Sequence, residues 1–456
     1  MAESRVDIMD KNNKILVVAV VALLLVVAAS SIFMFADNGD TKEKASKGSG
    51  RLLVYGNADN DDYFDEDDVK LIQKIVDENN WDKTKNPFAD ANHDSVVDQK
   101  DVEYAKALLN KESNRMWYIG SSGKDYYFNY PAADRSIAVS SEYGLMLAQV
   151  LGVYDKVTAG ASSIKKLGEL RYPGIGTMKD LGTYNKSDYP SFIESLLDSK
   201  CTILLGQVTT TVYDLLRNTG KNIDLILLSP SAEVQEGGID VSTSILTAGI
   251  LLDAGDNARK YVNYCDRMTD YISENMKGQA KTKFVCAYNT NNPTTTTVHT
   301  TNGKNGAMTG VIWTLSFTPM WSDMPWNELD TNGRSLNIEM EYIIKDNPDV
   351  IVLAVWGKAT AESNPAEVQA MFDEKAKFFK ETDAYKNGRI YGINYEAYGT
   401  YIGVGGLALL CSYIWPDSFS TEEGWSLLQE AIDNFTMIKK DVHELGGLIP
   451  YKINTA

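Results

Sequence analysis

From Met116 to the C-terminus, short aliphatic or β-branched runs alternate with amphipathic stretches, and this alternation leaves few folds open. SIAVS at Ser136, KVTAG at Lys156, TILLG at Thr202 and LILLS at Leu225 read as buried strands. FVCAY at Phe284, VIVLAVW at Val350 and RIYGIN at Arg389 make a second set. Strand runs spaced by helical segments predict βαβ units, with parallel sheets covered by helices. Between the sets lies one long amphipathic helix, about Asn257 to Lys277, with Tyr261, Tyr264, Met268, Tyr271 and Ile272 along one face. Shorter helices are expected over Glu339 to Lys345, Asn364 to Glu381 and Gly405 to Ile414. Ahead of the first set, Met116 to Phe128 carries a Gly-Lys turn between aromatic runs and predicts a β-hairpin. The fold class expected is α/β: two Rossmann-like lobes (113–255 and 279–456) joined by one long helix (256–278).

At 456 residues the chain is too long for one core and has room for two or three folded units. Its net charge of -18 argues against nucleic-acid binding, which needs clustered Lys and Arg to neutralise phosphates. The four cysteines form no CxxC pair and are read as core residues, and the three histidines are too scattered for a zinc site. No nucleophile elbow, P-loop or HExxH motif is present, and GVGG at Gly403 is an isolated glycine cluster, so the chain is not read as an enzyme.

Ile15 to Phe35 is a run of uncharged residues whose only polar members are Ser30 and Ser31, long enough at ~1.5 Å per residue to span a bilayer. Arg5, Lys11 and Lys14 precede it, and Asp37 and Asp40 follow. The expectation is a cytoplasmic N-terminus (1–14), an N-terminal transmembrane helix (15–36) and a polar tether (37–51), with the remainder outside the cytoplasm. A signal peptide cleaved near Ala28 to Ser30 is the alternative.

Two acidic stretches share one spacing. Asn57, Asp59, Asp61, Asp65 and Asp68 occupy loop positions 1, 3, 5, 9 and 12, and Asp90, Asn92, Asp94, Asp98 and Asp101 repeat them. Calcium takes six to eight oxygen ligands, and this spacing wraps a chain around one ion, with position 7 (Tyr63, Val96) offering its carbonyl. Each loop runs into a helical pattern: Val69, Ile72, Ile75, Val76, then Val102, Ala105, Leu108, Leu109. The segment 52–112 resembles a dockerin-type, EF-hand-like α-helical module, which implies two Ca2+ sites. It departs from the pattern at position 6, where Asp62 and Ser95 replace glycine, so the second site is expected to be the weaker. A partner-binding role and a stiff spacer are both open.

The body resembles the class III (cluster A) substrate-binding proteins of ABC importers for iron complexes, haem and corrinoids. The likeness is carried by DRSIAVSSEYGLMLAQVLGVYDKVTAG, by IDVSTSILTAGILLDAGDNARKYVNYCDRM, and by NPDVIVL, KNGRIYGIN and LALLCSYIWPDSF. It implies capture of a metal chelate or corrinoid between the lobes and delivery to an ABC permease. It also implies one permease-docking glutamate per lobe, Glu194 and Glu341, each standing eight residues before a strand opening at Thr202 or Asp349. Because ligands bind beyond the carboxyl ends of parallel strands, the candidates in the first lobe are Ser140, Ser141, Glu142, Tyr143, Ser162, Gln207, Thr209 and Ser229. In the second lobe they are Asn289, Asn291, Trp356, Tyr395, Glu396 and Tyr398, with Trp313 in the loop from Gly306 to Trp326. A tyrosine such as Tyr143 or Tyr398 could ligate iron directly. The competing reading is a calcium-dependent surface scaffold or adhesion protein built on the same fold.

Overall fold

A computed structural model describes residues 50–227, 241–277, 279, 282–288, 290–291, 294–299, 335–355 and 357–455. The expected membrane span, and candidates Ser229, Asn289, Trp313 and Trp356, lie outside these. Among the described residues no helix is long and apolar enough to cross a membrane.

Each acidic loop turns into a helix, α1 (Glu66–Glu78) and α2 (Gln99–Leu109), through a capping box. Asp65 and Asp98 are the N-caps, and the carboxylates of Asp68 and Asp101 accept the N-cap backbone N–H at 2.9 and 2.8 Å. Loop positions 9 and 12 therefore have a helix-starting role whether or not a cation is bound. Val69, Ile72, Ile75, Val102 and Ala105 close a small core between the two helices, with Val76, Val97 and Leu109 against it. Position 6 behaves differently in the two loops. Position 4 is left-handed in both loops, at Asn60 (60°) and His93 (61°), whereas at position 6 only Ser95 of the second loop takes positive φ (76°).

The segment leading into the first loop is built into the body. Val54 bridges Tyr118 in the hairpin β1 (Asn114–Ile119) and β2 (Asp125–Tyr130), and Leu52, Val54 and Leu108 are buried in the main core.

The N-lobe sheet is parallel throughout, ordered β5 (Lys179–Asp180), β4 (Val157–Gly160), β3 (Ile137–Val139), β6 (Ile203–Leu205), β7 (Asp224–Leu225). Helices α3 (Glu142–Val150), α4 (Tyr189–Leu197) and α5 (Thr210–Asn218) connect its strands. The C-lobe departs from the all-parallel expectation. Its centre is parallel, β8 (Phe284–Tyr288), β11 (Val350–Val355) and β12 (Ile390–Asn394), but β9 (Thr295–His299), β10 (Ser335–Glu339) and β13 (Tyr451–Lys452) join antiparallel. The central strands need apolar residues on both faces and announce themselves, whereas polar TTTVH and SLNIE on one edge do not. The remaining helices are α6 (Val241–Leu251), α7 (Gly255–Met276), α8 (Met340–Asp346), α9 (Pro365–Ala376), α10 (Asp383–Lys386), α11 (Tyr395–Tyr398), α12 (Gly403–Ile414) and α13 (Thr421–Phe435).

Helix α7 is the expected interlobe rod. Its 22 residues span about 33 Å at ~1.5 Å each. Ala258, Tyr261, Val262, Cys265, Met268 and Ile272 form its buried stripe. At one end Asn257 donates to the Leu151 carbonyl at 3.0 Å, in the N-lobe. Further along, the Tyr261 and Tyr264 hydroxyls donate to the carbonyls of Tyr401 (2.8 Å) and Leu427 (3.0 Å), in the C-lobe. The GVGG cluster is a packing device. It opens α12, where a Cβ on Gly405 would stand 2.6 Å from the Tyr264 hydroxyl and one on Gly406 2.0 Å from the Ala397 carbonyl.

Candidate functional site

The carboxyl ends of β3 and β6 meet at Ser140, whose N–H bonds Leu205 at 2.9 Å. Ser140 is buried and its Oγ has no partner among the described residues. Gly206 takes φ +121°, and a Cβ there would lie 2.6 Å from that Oγ, so the backbone crosses directly over the serine. Ser141 begins α3 without capping it by its side chain, and Glu142 and Tyr143 form the first turn of that helix.

Tyr143 and Tyr395 share a hydroxyl–hydroxyl hydrogen bond across the gap. Beside them Arg171, 5% exposed, lies 2.9 Å from Glu396 of the C-lobe and 3.5 Å from Glu142 of its own lobe. The Tyr172 hydroxyl donates to Glu142 at 2.8 Å. A second carboxylate of the C-lobe, Glu362, accepts the Leu170 N–H at 2.9 Å. Burial raises the Glu396 carboxyl above the ordinary glutamate range even though the Arg171 charge pulls it down. Burial also holds the Tyr172, Tyr398 and Tyr401 hydroxyls well above the usual tyrosine value, so they stay neutral donors. The result is a mostly dry, tyrosine-rich seam with one cation between two acids, at the strand ends of both lobes.

Of the candidates, Ser140, Ser141, Glu142, Tyr143, Tyr395, Glu396 and Tyr398 gather at this seam. Others have local duties. Thr209 is exposed and caps α5, its Oγ1 accepting from Val212 N, and Ser162 donates to Asp180 at 2.7 Å. Gln207 is exposed, its N–H 3.5 Å from Ser141 Oγ, and Asn291 accepts from Lys375 at 2.8 Å. Reading the sequence missed Arg171, Tyr172 and Glu362. All three sit in irregular connections, where no periodicity marks a residue. The one available signal was a lone Arg-Tyr pair placed after a strand.

Residues 137–397 match the family model described as periplasmic binding protein. The chain belongs to the periplasmic binding protein family. Similar solved folds include the TroA-like periplasmic binding protein FepB of Veillonella parvula, 13% identical, TM-score 0.57, covering 74% of this chain and 99% of that one. Helicobacter pylori CeuE, solved as a Ni-His complex, is 15% identical with TM-score 0.51, covering 72% and 98%. A periplasmic solute binding protein of Veillonella parvula DSM 2008 is 16% identical with TM-score 0.51, covering 73% and 97%. No curated protein matches the sequence. In this binding protein Glu194 and Glu341 are exposed on α4 and α8, and β6 and β11 open at the same spacing after them. The two carboxylates thus occupy equivalent positions on the two lobes, and neither belongs to the seam.

In the acidic loops, the carboxylates bond mostly to backbone N–H groups of their own loop. Asp61 accepts from Tyr63 at 2.7 Å, and Asp90 accepts from Asp94 at 3.0 Å and Ser95 at 2.8 Å. Among the described residues no three His, Cys, Asp or Glu side chains gather as metal ligands. Two features nevertheless suit a cation at the first loop. Asn57 is fully buried with its Oδ1 unpartnered. Asp68 is 1% exposed, and burial pushes its carboxyl up to about 8, with the neighbouring acids adding to the shift and two backbone N–H bonds opposing it. Hard oxygens of this kind are the donor type that calcium takes.

Proposed function

We propose that this protein captures a metal chelate, of the ferric-siderophore, haem or corrinoid kind, outside the cytoplasm and hands it to an ABC permease. The observation that carries this reading is the seam: two α/β lobes tied by one helix meet at their strand carboxyl ends through tyrosine hydroxyls and a buried arginine. Flat aromatic area takes up a chelate's apolar surface, while hydroxyls and the guanidinium orient its oxygens. The Ni-His complex of the similarly folded CeuE is in keeping with a metal chelate as the solute. Glu194 and Glu341, one per lobe and outside the seam, would pair with basic residues of the permease without competing with solute. The apolar run 15–36 would hold the protein at the membrane.

The first acidic loop would take Ca2+ through Asn57, Asp59, Asp61, Asp68 and the Tyr63 carbonyl. The second would use Asp90, Asn92, Asp94, Asp101 and the Val96 carbonyl, with lower affinity. Such an ion supplies the countercharge that the buried carboxylates lack.

The test is a thermal-shift screen of the full chain against haem, cobalamin and ferric siderophores. A true solute at a hundredfold excess over its Kd adds about 2.7 kcal/mol of apparent stability. A flat response to all three classes sinks the reading.

A further inference from the structure

A short strap of the N-lobe, Gly168 to Tyr172, is held by the C-lobe. Glu362 accepts the Leu170 N–H at 2.9 Å, and a Cβ on Gly168 would come within 2.6 Å of the same carboxylate. Arg171 pairs with Glu396 at 2.9 Å, and Tyr143 next to the strap bonds Tyr395. Glu362, Tyr395 and Glu396 all come from segments that follow the C-lobe strands β11 and β12.

On its own side the strap is firmly seated. The Arg171 carbonyl accepts from Gln149 of α3 at 2.6 Å, and Tyr172 is fastened to Glu142 at 2.8 Å. Moving the lobes apart therefore breaks the cross-lobe bonds and leaves the others intact. Buried charge-assisted bonds such as Arg171–Glu396 are strong and directional. Their replacement by water requires the seam to open first, because Arg171 is almost fully covered and its Nε has no partner among the described residues. The strap thus joins the two lobes at the seam, and parting them requires these bonds to break.

We propose that the Gly168–Tyr172 strap is an electrostatic latch that keeps the solute-free protein shut, so that capture waits on release of Arg171 from Glu396. This rests on the seam being the solute site. A competent state that is only fractionally populated lowers apparent affinity by that fraction.

The experiment places one spin label on each lobe of the full chain, at Lys186→Cys and Asp417→Cys, both exposed, while the four native cysteines are buried. Double electron–electron resonance then gives the lobe separation without any solute. Glu396→Gln, which keeps the shape and removes the charge, is expected to raise the open-to-closed ratio at least tenfold, and Glu362→Gln to raise it in the same direction. Asp198→Asn, which breaks only the exposed Lys179 pair within the N-lobe, should leave the distribution as in the parent. An unchanged distribution in Glu396→Gln with cooperative melting retained overturns the latch, as does equal opening in Asp198→Asn. Opening as expected in a protein that binds none of haem, cobalamin and ferric siderophores supports the latch and refutes the transport reading alone.

Discussion

Replacing Arg171 by Met isolates the electrostatics of the seam. Methionine keeps much of the apolar stem and removes the cation that pairs with Glu142 and Glu396. Breaking a buried ion pair by deleting one partner costs ~3–5 kcal/mol, since the remaining charge stays desolvated. Glu396 is mostly buried, with 19% side-chain exposure, and bears that cost, whereas Glu142 at 34% keeps water and adds little. A total of about 3 kcal/mol corresponds to a melting shift on the order of 3 °C for a chain of this size. The pH dependence carries the argument. The folded-state Glu396 carboxyl is already raised by burial, with Arg171 opposing the rise. A glutamate raised in the folded state contributes stability that is fully present below its unfolded value of ~4.3 and is lost as pH rises through the folded value. Deleting Arg171 extends that loss. The melting gap between parent and Arg171→Met should therefore be small near pH 4 and widen toward pH 7.5, as read by calorimetry. An equal gap at both pH values would show that Arg171 acts through packing and would refute the electrostatic account.

Two further outcomes are expected. Calcium should raise the melting temperature of the full chain and chelator should reverse this, with Asp90→Ala weakening the response less than Asp61→Ala; melting that ignores both calcium and chelator removes the cation reading. Glu194→Arg combined with Glu341→Arg should leave solute affinity unchanged and abolish uptake in cells carrying the importer, so normal uptake would exclude these residues from permease docking.

Much of the architecture could be read from local pattern. A fully buried parallel strand such as Val350–Val355 must be apolar on both faces, and a rod such as α7 must repeat its apolar residues every three or four positions, so each declares itself within a few residues. The hairpin and the two acidic loop-helix units were legible for the same reason. The antiparallel additions β9, β10 and β13 were not, because they are polar or very short and lack the continuous apolar run of a strand buried on both faces.

The site divides along the same line. The sequence alone determined which residues follow the strands, and so placed Ser140 to Tyr143 and Tyr395 to Tyr398 near one another in role. Only the tertiary structure decided that Arg171, from an irregular stretch, stands between Glu142 and Glu396. It also decided that Thr209 and Ser162 are occupied locally. A charge at a seam is defined by what faces it across a gap of more than 200 residues in sequence, and no local spacing encodes that distance. The acidic loops make the converse point. Their register was plain in the chain, but only the fold shows Leu52 and Val54 sunk in the main core, because burial is a property of what packs against a residue rather than of the residue itself.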